Sequence, residues 1–187
     1  IAERKGTTST EYNPIRLQCG RDQLIAERSS RLDTLKAALA FGENRLQDAI
    51  QFFDPVDVKS LEPGVAGLVA LIHGTLLSKA ESKKAIARFD EARLLSPGTL
   101  VEESALRQEI LLVAREGMME RFDKLFSQYS RRFGNSIYAG NFRRQFFAGV
   151  ARQDFKGTSE WISRTEAEIK KLAAADRLAA YLSIAQE

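Results

Sequence analysis

The sequence predicts an all-α protein built from antiparallel helical hairpins stacked as an α-solenoid. Three observations carry this. Apolar residues recur at helical spacing through most of the chain, no alternating strand run competes, and the helical stretches are joined by connections short enough for tight reversals. The clearest unit is residues 63–97. Between Gly64 and Ser78 the only titratable side chain is His73, and Val65, Leu68, Val69, Leu71, Ile72, Leu76 and Leu77 cover all sides of a helix, which must therefore be buried. After a polar break at residues 79–82, Ala85, Ile86, Phe89, Ala92 and Leu95 form one stripe and Lys83, Lys84, Arg88, Asp90 and Glu91 lie opposite. That second helix covers the first.

In chain order, residues 1–20 lack helical or strand periodicity and predict an extended or mobile lead-in, and residues 21–187 a single helical-repeat domain. Leu24, Ile25, Leu32, Leu35, Ala38 and Leu39 predict a surface helix that Gly42 stops. Leu46, Ala49, Ile50 and Phe53 predict a shorter helix over 43–53 that Pro55 ends, and the two make a hairpin over about 21–53. Residues 54–62 read as a linker before Pro63, which suits the first turn of the central hairpin over 63–96. Thr99 and Glu102 form a T-x-x-E capping box, opening a helix that Gly117 closes. Met119, Phe122, Leu125, Phe126 and Tyr129 then give the second half of a hairpin over 99–133. Ser136 is placed to cap a helix through Arg152, and Thr158 or Ser159 opens the last helical region, with Trp161, Ile162, Ile169, Leu172 and Ala173 and then 178–184 completing a hairpin over 136–187. The pattern reaches Glu187 without a cap, as expected of a boundary inside a longer array.

A repeat is legible in the spacing. Pro63-Gly64 and Pro97-Gly98 lie 34 residues apart, the tetratricopeptide period, and Ala85, Phe89, Ala92 and Pro97 fall where that pattern places its second-helix residues. The first helix departs from it: Gly74 is one place late and no aromatic residue fills the Trp or Tyr positions. The next hairpin has no Pro at the matching place, Arg131, so one repeat alone is near consensus; the fold expected is a tetratricopeptide-like α-solenoid, with a non-repeating helical array as the alternative.

Composition narrows function. The chain has 187 residues, is 44% hydrophobic and 28% charged, and carries a net charge of +3, well short of a dedicated nucleic-acid binder. Its single cysteine, Cys19, excludes an internal disulfide. A sole histidine excludes a His-based zinc site, and with no phosphate-cradling glycine motif no cofactor is expected. The run 64–78 is shorter than a bilayer span, so membrane insertion is not expected. No leader pattern opens the chain, so any signal peptide is expected to have been removed. Glu102 and Glu103 read as helix N-terminal carboxylates and His73 as a packed, hydrogen-bonded core residue. An enzyme is not expected.

One stretch carries a candidate surface. Arg131, Arg132, Arg143, Arg144, Arg152 and Lys156 face only Asp154 as a local acid, with Tyr129, Phe133, Tyr138, Phe142, Phe146 and Phe155 interleaved. Arginine beside aromatic rings suits a protein interface or a nucleic-acid platform. The rings also recur at i, i+4 and i+8, the spacing of core positions beside solvated arginines, and that reading takes precedence. Arg131, Arg132, Tyr138, Arg143, Arg144 and Arg152 are the candidate partner-binding residues.

The run from Arg88 to Glu103, RFDEARLLSPGTLVEE, resembles the MotC family of α-proteobacterial motility proteins. Phe53-Asp54-Pro55-Val56-Asp57, His73-Gly74-Thr75-Leu76-Leu77, Tyr129 to Arg132 and Ser136-Ile137-Tyr138-Ala139 match it in order and spacing, so that the resemblance covers about 43–155. It implies a non-enzymatic periplasmic flagellar component that binds the periplasmic part of the stator protein MotB and supports its folding or placement. No binding residue carries over from it. A tetratricopeptide-like interaction adaptor unrelated to motility, and a helical protein binding nucleic acid through 131–156, are the alternatives that the residues leave open.

Overall fold

The computed structural model describes residues 14–152, 154–155, 158–171 and 174–185. All regular structure among them is helical: α1 Pro14–Gly42, α2 Leu46–Phe53, α3 Pro63–Leu77, α4 Ser82–Leu95, α5 Leu100–Arg115, α6 Met119–Phe133, α7 Ala139–Ala151, α8 Thr158–Lys171 and α9 Ala174–Ala185, with a 3-10 turn at Val58–Ser60. Sequential helices pack in pairs, α1 on α2, α3 on α4, α4 on α5 and α5 on α6. This is the expected stack of hairpins.

The chain reverses by a recurrent device. At the end of α1 the Arg45 N–H donates to the Ala40 carbonyl at 2.8 Å and the Asn44 N–H to Phe41 at 3.0 Å, with Asn44 left-handed at φ 59°. At the end of α5 the Met118 N–H donates to Val113 at 2.9 Å and the Gly117 N–H to Ala114 at 3.0 Å, with Gly117 at φ 72°. Both are Schellman ends, which satisfy the carbonyls a helix leaves open. Gly42 therefore does not stop α1; Asn44 does. The expected lead-in is also shorter than 1–20, since α1 opens at Pro14, where a missing N–H leaves no helical bond unmade.

The central pair is drawn together by glycine. A Cβ on Gly74 would stand 2.9 Å from the Phe89 ring and 3.2 Å from the Ala85 carbonyl oxygen; one on Gly67 would meet Ser96. Two bare positions seven residues apart let α3 press along α4. Side-chain bonds tie this pair to the next helices: the Thr75 hydroxyl donates to Gln108, Ser82 to Glu116 and the Arg93 guanidinium to Gln128, across separations of 33, 34 and 35 residues.

Three expectations change. Residues 54–62 are more than a linker, because Val56 and Val58 are buried in the core around the 3-10 turn, where the Asp57 carboxylate accepts from the Lys59 N–H at 3.0 Å. In α1 the leucines of the helical pattern face out, while Ala37, Ala40 and Ser30 face in. Ser136 does not cap α7 directly: its hydroxyl accepts from the Tyr138 N–H at 3.2 Å in the preceding turn. In the last region α7 packs more closely on α9 than on α8. Leu172 and Ala173, expected in this helical region, lie outside the described residues.

A seam of rings joins α6 to α7 and α8. Tyr129 meets Phe142 with centroids 4.7 Å apart, Phe122 meets Phe146 at 5.3 Å, and Trp161 of α8 stands edge-on to Phe122 at 4.5 Å. These residues are buried, so the aromatic half of the 131–156 pattern is largely core.

Candidate protein-interaction surface

The six candidate residues occupy three sides of the array. Arg132, in the last turn of α6, donates to the Glu102 carboxylate at the start of α5. Tyr138, which precedes α7, lies under the Arg107 guanidinium of α5, 5.0 Å from carbon to ring centroid. Arg132 and Tyr138 are thus engaged with α5. Arg131 lines an open cleft of about 780 Å³ between α6 and α8, together with Phe126 and Glu168. Arg143 and Arg144 line a small cavity of about 50 Å³ against Ala179 and Ala180 of α9. Arg152, at the end of α7, pairs with Asp154 at 3.0 Å. Lys156 lies outside the described residues.

Among the described residues Arg131 and Arg144 make no ion pair, and both are exposed. Arg131 sits in the last turn of α6, where the carbonyl ends favour a cation. These two arginines are the solvent-facing charge of the candidate set, and they lie on the α8 and α9 sides respectively.

The densest polar constellation was not anticipated from the sequence. Glu109, fully buried in α5, accepts from Arg93 of α4 at 2.9 Å on one oxygen and from Arg121 of α6 at 2.6 and 2.9 Å on the other. Arg93 also reaches Asp90 at 3.0 Å and Gln128 at 2.9 Å, Arg121 reaches Asp90 at 2.6 Å, and the Gln128 amide faces Glu102 at 3.4 Å. Glu102 closes the chain, accepting from Arg132 and from the Gly98 N–H at 2.6 Å. The capping box is therefore only half formed: Thr99 accepts from Val101 and Glu102 N–H groups, while Glu102 reaches one residue further back than the motif requires. Three carboxylates face three guanidiniums, so charge balances inside the array. Burial, followed by the nearby Asp90, pushes the Glu109 carboxyl above its ordinary range, and the two arginines oppose that. Such a lattice fixes register between helices, and each of its carboxylates is held by an arginine. A signal did exist: Glu102 and Glu109 are seven residues apart, as are Arg121 and Gln128, so charged or polar residues recur along one face of two adjacent helices.

Glu103 is buried beside it, accepting from the Tyr129 hydroxyl at 3.2 Å; burial, followed by this carboxylate, pushes the Tyr129 phenol well above its ordinary range. His73 is packed on Phe53, with centroids 5.6 Å apart. Its Nε2 stands 3.4 Å from Asp54 without hydrogen-bond geometry, so the expected hydrogen bond is not formed. Burial, helped by Arg88, brings its pKa down to about 4. It is a neutral core imidazole at neutral pH. Cys19 falls within α1, with its side chain outside the described residues.

Among the described residues no group of three His, Cys, Asp or Glu side chains is placed to hold a metal ion, and no helix is long and apolar enough to cross a membrane. No solved structure matches the chain. A chemotaxis protein MotC of Rhizobium meliloti (strain 1021) is 37% identical over 76 residues, which are 41% of this chain and 18% of that protein. The aligned stretch is thus well under two thirds of the relative. The model of the family described as chemotaxis protein MotC matches residues 24–187, from the middle of α1 through the last helix, and on that match the chain belongs to the MotC family of chemotaxis proteins.

Proposed function

We propose that this chain is a non-enzymatic, periplasmic part of the flagellar motor apparatus, which binds the periplasmic part of the stator protein MotB and supports its folding or placement. The observation that carries the reading is the family match over residues 24–187. The architecture supports it in kind, since stacked hairpins expose long surfaces to a protein partner while a balanced internal lattice holds their register. The stack would follow the tetratricopeptide style, given the cross-helix bonds spaced near 34 residues. Within the candidate set, Arg131 and Arg144 are the positions offered to the partner, because Arg132, Tyr138 and Arg152 already hold other side chains.

The test is direct binding of the purified chain to a periplasmic fragment of MotB, followed by calorimetry. Binding in the micromolar range, weakened by Arg131→Glu with Arg144→Glu by about tenfold, is expected. Absence of binding at about 100 μM would remove the stator reading and leave an adaptor of another motility component. Tight binding untouched by both substitutions would move the interface away from these arginines.

A further inference from the structure

Helix α1 has two apolar faces, and only one of them is used. It packs on α2 and on the 3-10 turn through small residues, with Ser30, Ala37 and Ala40 buried. Ile25, Leu32, Leu35 and Leu39 lie on the side turned away from these contacts, each more than half exposed, and Leu35 is 68% exposed. At about 100° per residue they occupy a sector of about 80°, spread along about 21 Å of helix. Ile25, Leu32 and Leu39 recur every seven residues with Leu35 between the last two, which is the spacing of a seam that receives another helix.

The charges beside this stripe say what kind of helix fits. Arg28 lies inside the sector and Arg31 about 40° beyond its edge; both are exposed and, among the described residues, make no ion pair. Lys36 flanks the other edge and is already paired with Asp33 at 3.3 Å. The acids Glu27 and Asp33 lie outside the sector, so the seam carries basic flanks only. A second copy would set these cations against their own kind. We infer that this face of α1 docks an amphipathic helix of another protein, one with leucine-type side chains at heptad spacing and carboxylates along its flanks. An anionic bilayer would satisfy the charge, but it offers no seven-residue register for Ile25, Leu32 and Leu39 to match. The inference does not rest on the stator reading, and failure of MotB to bind leaves it standing.

The probe is a synthetic four-heptad peptide with Leu at the seam positions and Glu on the flanks, fluorescently labelled and titrated with the full chain. At low salt it should bind with a Kd at or below about 50 μM. Leu35→Lys, and separately Arg28→Glu with Arg31→Glu, should each weaken binding at least about tenfold while far-UV circular dichroism and Tm stay those of the parent. The charge-reversed variant should instead bind the matching peptide with Lys on its flanks. No binding of the Glu peptide, or binding insensitive to these substitutions, overturns the proposal. So does a dimer in sedimentation equilibrium that Leu35→Lys dissociates, which would assign the face to a second copy. Cosedimentation with phosphatidylglycerol vesicles that Leu35→Lys abolishes would assign it to a membrane surface.

Discussion

Arg93 and Arg121 hold opposite oxygens of the buried Glu109 carboxylate, one from α4 and the other from α6, so a single α5 side chain ties three helices. Neither arginine is spare: Asp90 accepts from both, and Gln128 carries the chain on to Glu102 and Arg132. Removing the central carboxylate leaves two partly buried guanidiniums without their main acceptor.

Glu109→Gln is therefore expected to destabilise the fold by about 3 kcal/mol, the range for breaking one side of a buried pair. Urea unfolding followed by circular dichroism measures it. An exposed pair such as Lys84 with Glu81 gives the contrast, and Glu81→Gln should leave the unfolding midpoint essentially unchanged.

His73 makes stability depend on pH in a defined window. Its folded pKa, about 4, lies below the ordinary 6.5 because the buried imidazole resists protonation. Between these values the unfolded chain binds the proton and the folded chain does not, so stability is full above 6.5 and falls as pH drops toward 4. The loss attributable to this group reaches about 3 kcal/mol, and His73→Phe should flatten that part of the profile. As the sole histidine, its ring protons can be followed by NMR through the same range. A midpoint near 6.5 would show that the ring is solvated.

Gly74 should tolerate no side chain. Alanine elsewhere in a helix gains about 1 kcal/mol over glycine, but here its Cβ would stand 2.9 Å from the Phe89 ring and 3.2 Å from a backbone oxygen. Gly74→Ala is expected to cost about 2 kcal/mol net, through forced separation of α3 and α4. Gly64, with nothing within 4 Å of the same position, is the control, and Gly64→Ala should be neutral or stabilising. Thermal unfolding distinguishes the two.

Local signals in the sequence located the helices well. Pro63, the Thr99 box, the break at 79–82 and Gly117 all mark true ends, because caps and turns are decided by a few neighbouring residues. Which face of a helix turns inward was less accessible. In α1 the leucines outnumber the alanines, yet close approach to α2 favours the small residues, and only the packed structure reveals that choice. The arginines of 131–152 formed one cluster along the chain but separate in space: Arg131 and Arg132 project about 100° apart around α6, and the turn at 134–138 redirects the backbone before Arg143 and Arg144. The ionic lattice was hidden for a related reason: Arg93, Glu109 and Arg121 belong to three helices, and charges in an amphipathic pattern ordinarily read as solvent-facing.

The ring seam has a practical side. The chain's single tryptophan, Trp161, is fully buried where α6, α7 and α8 converge, touching Phe122, Phe146 and Phe155. The array thus carries one native optical reporter, sited at that junction and away from both α1 and the central hairpin. Its emission reads the closing end of the stack alone, so loosening there can be told apart from events at the opposite end without any added label.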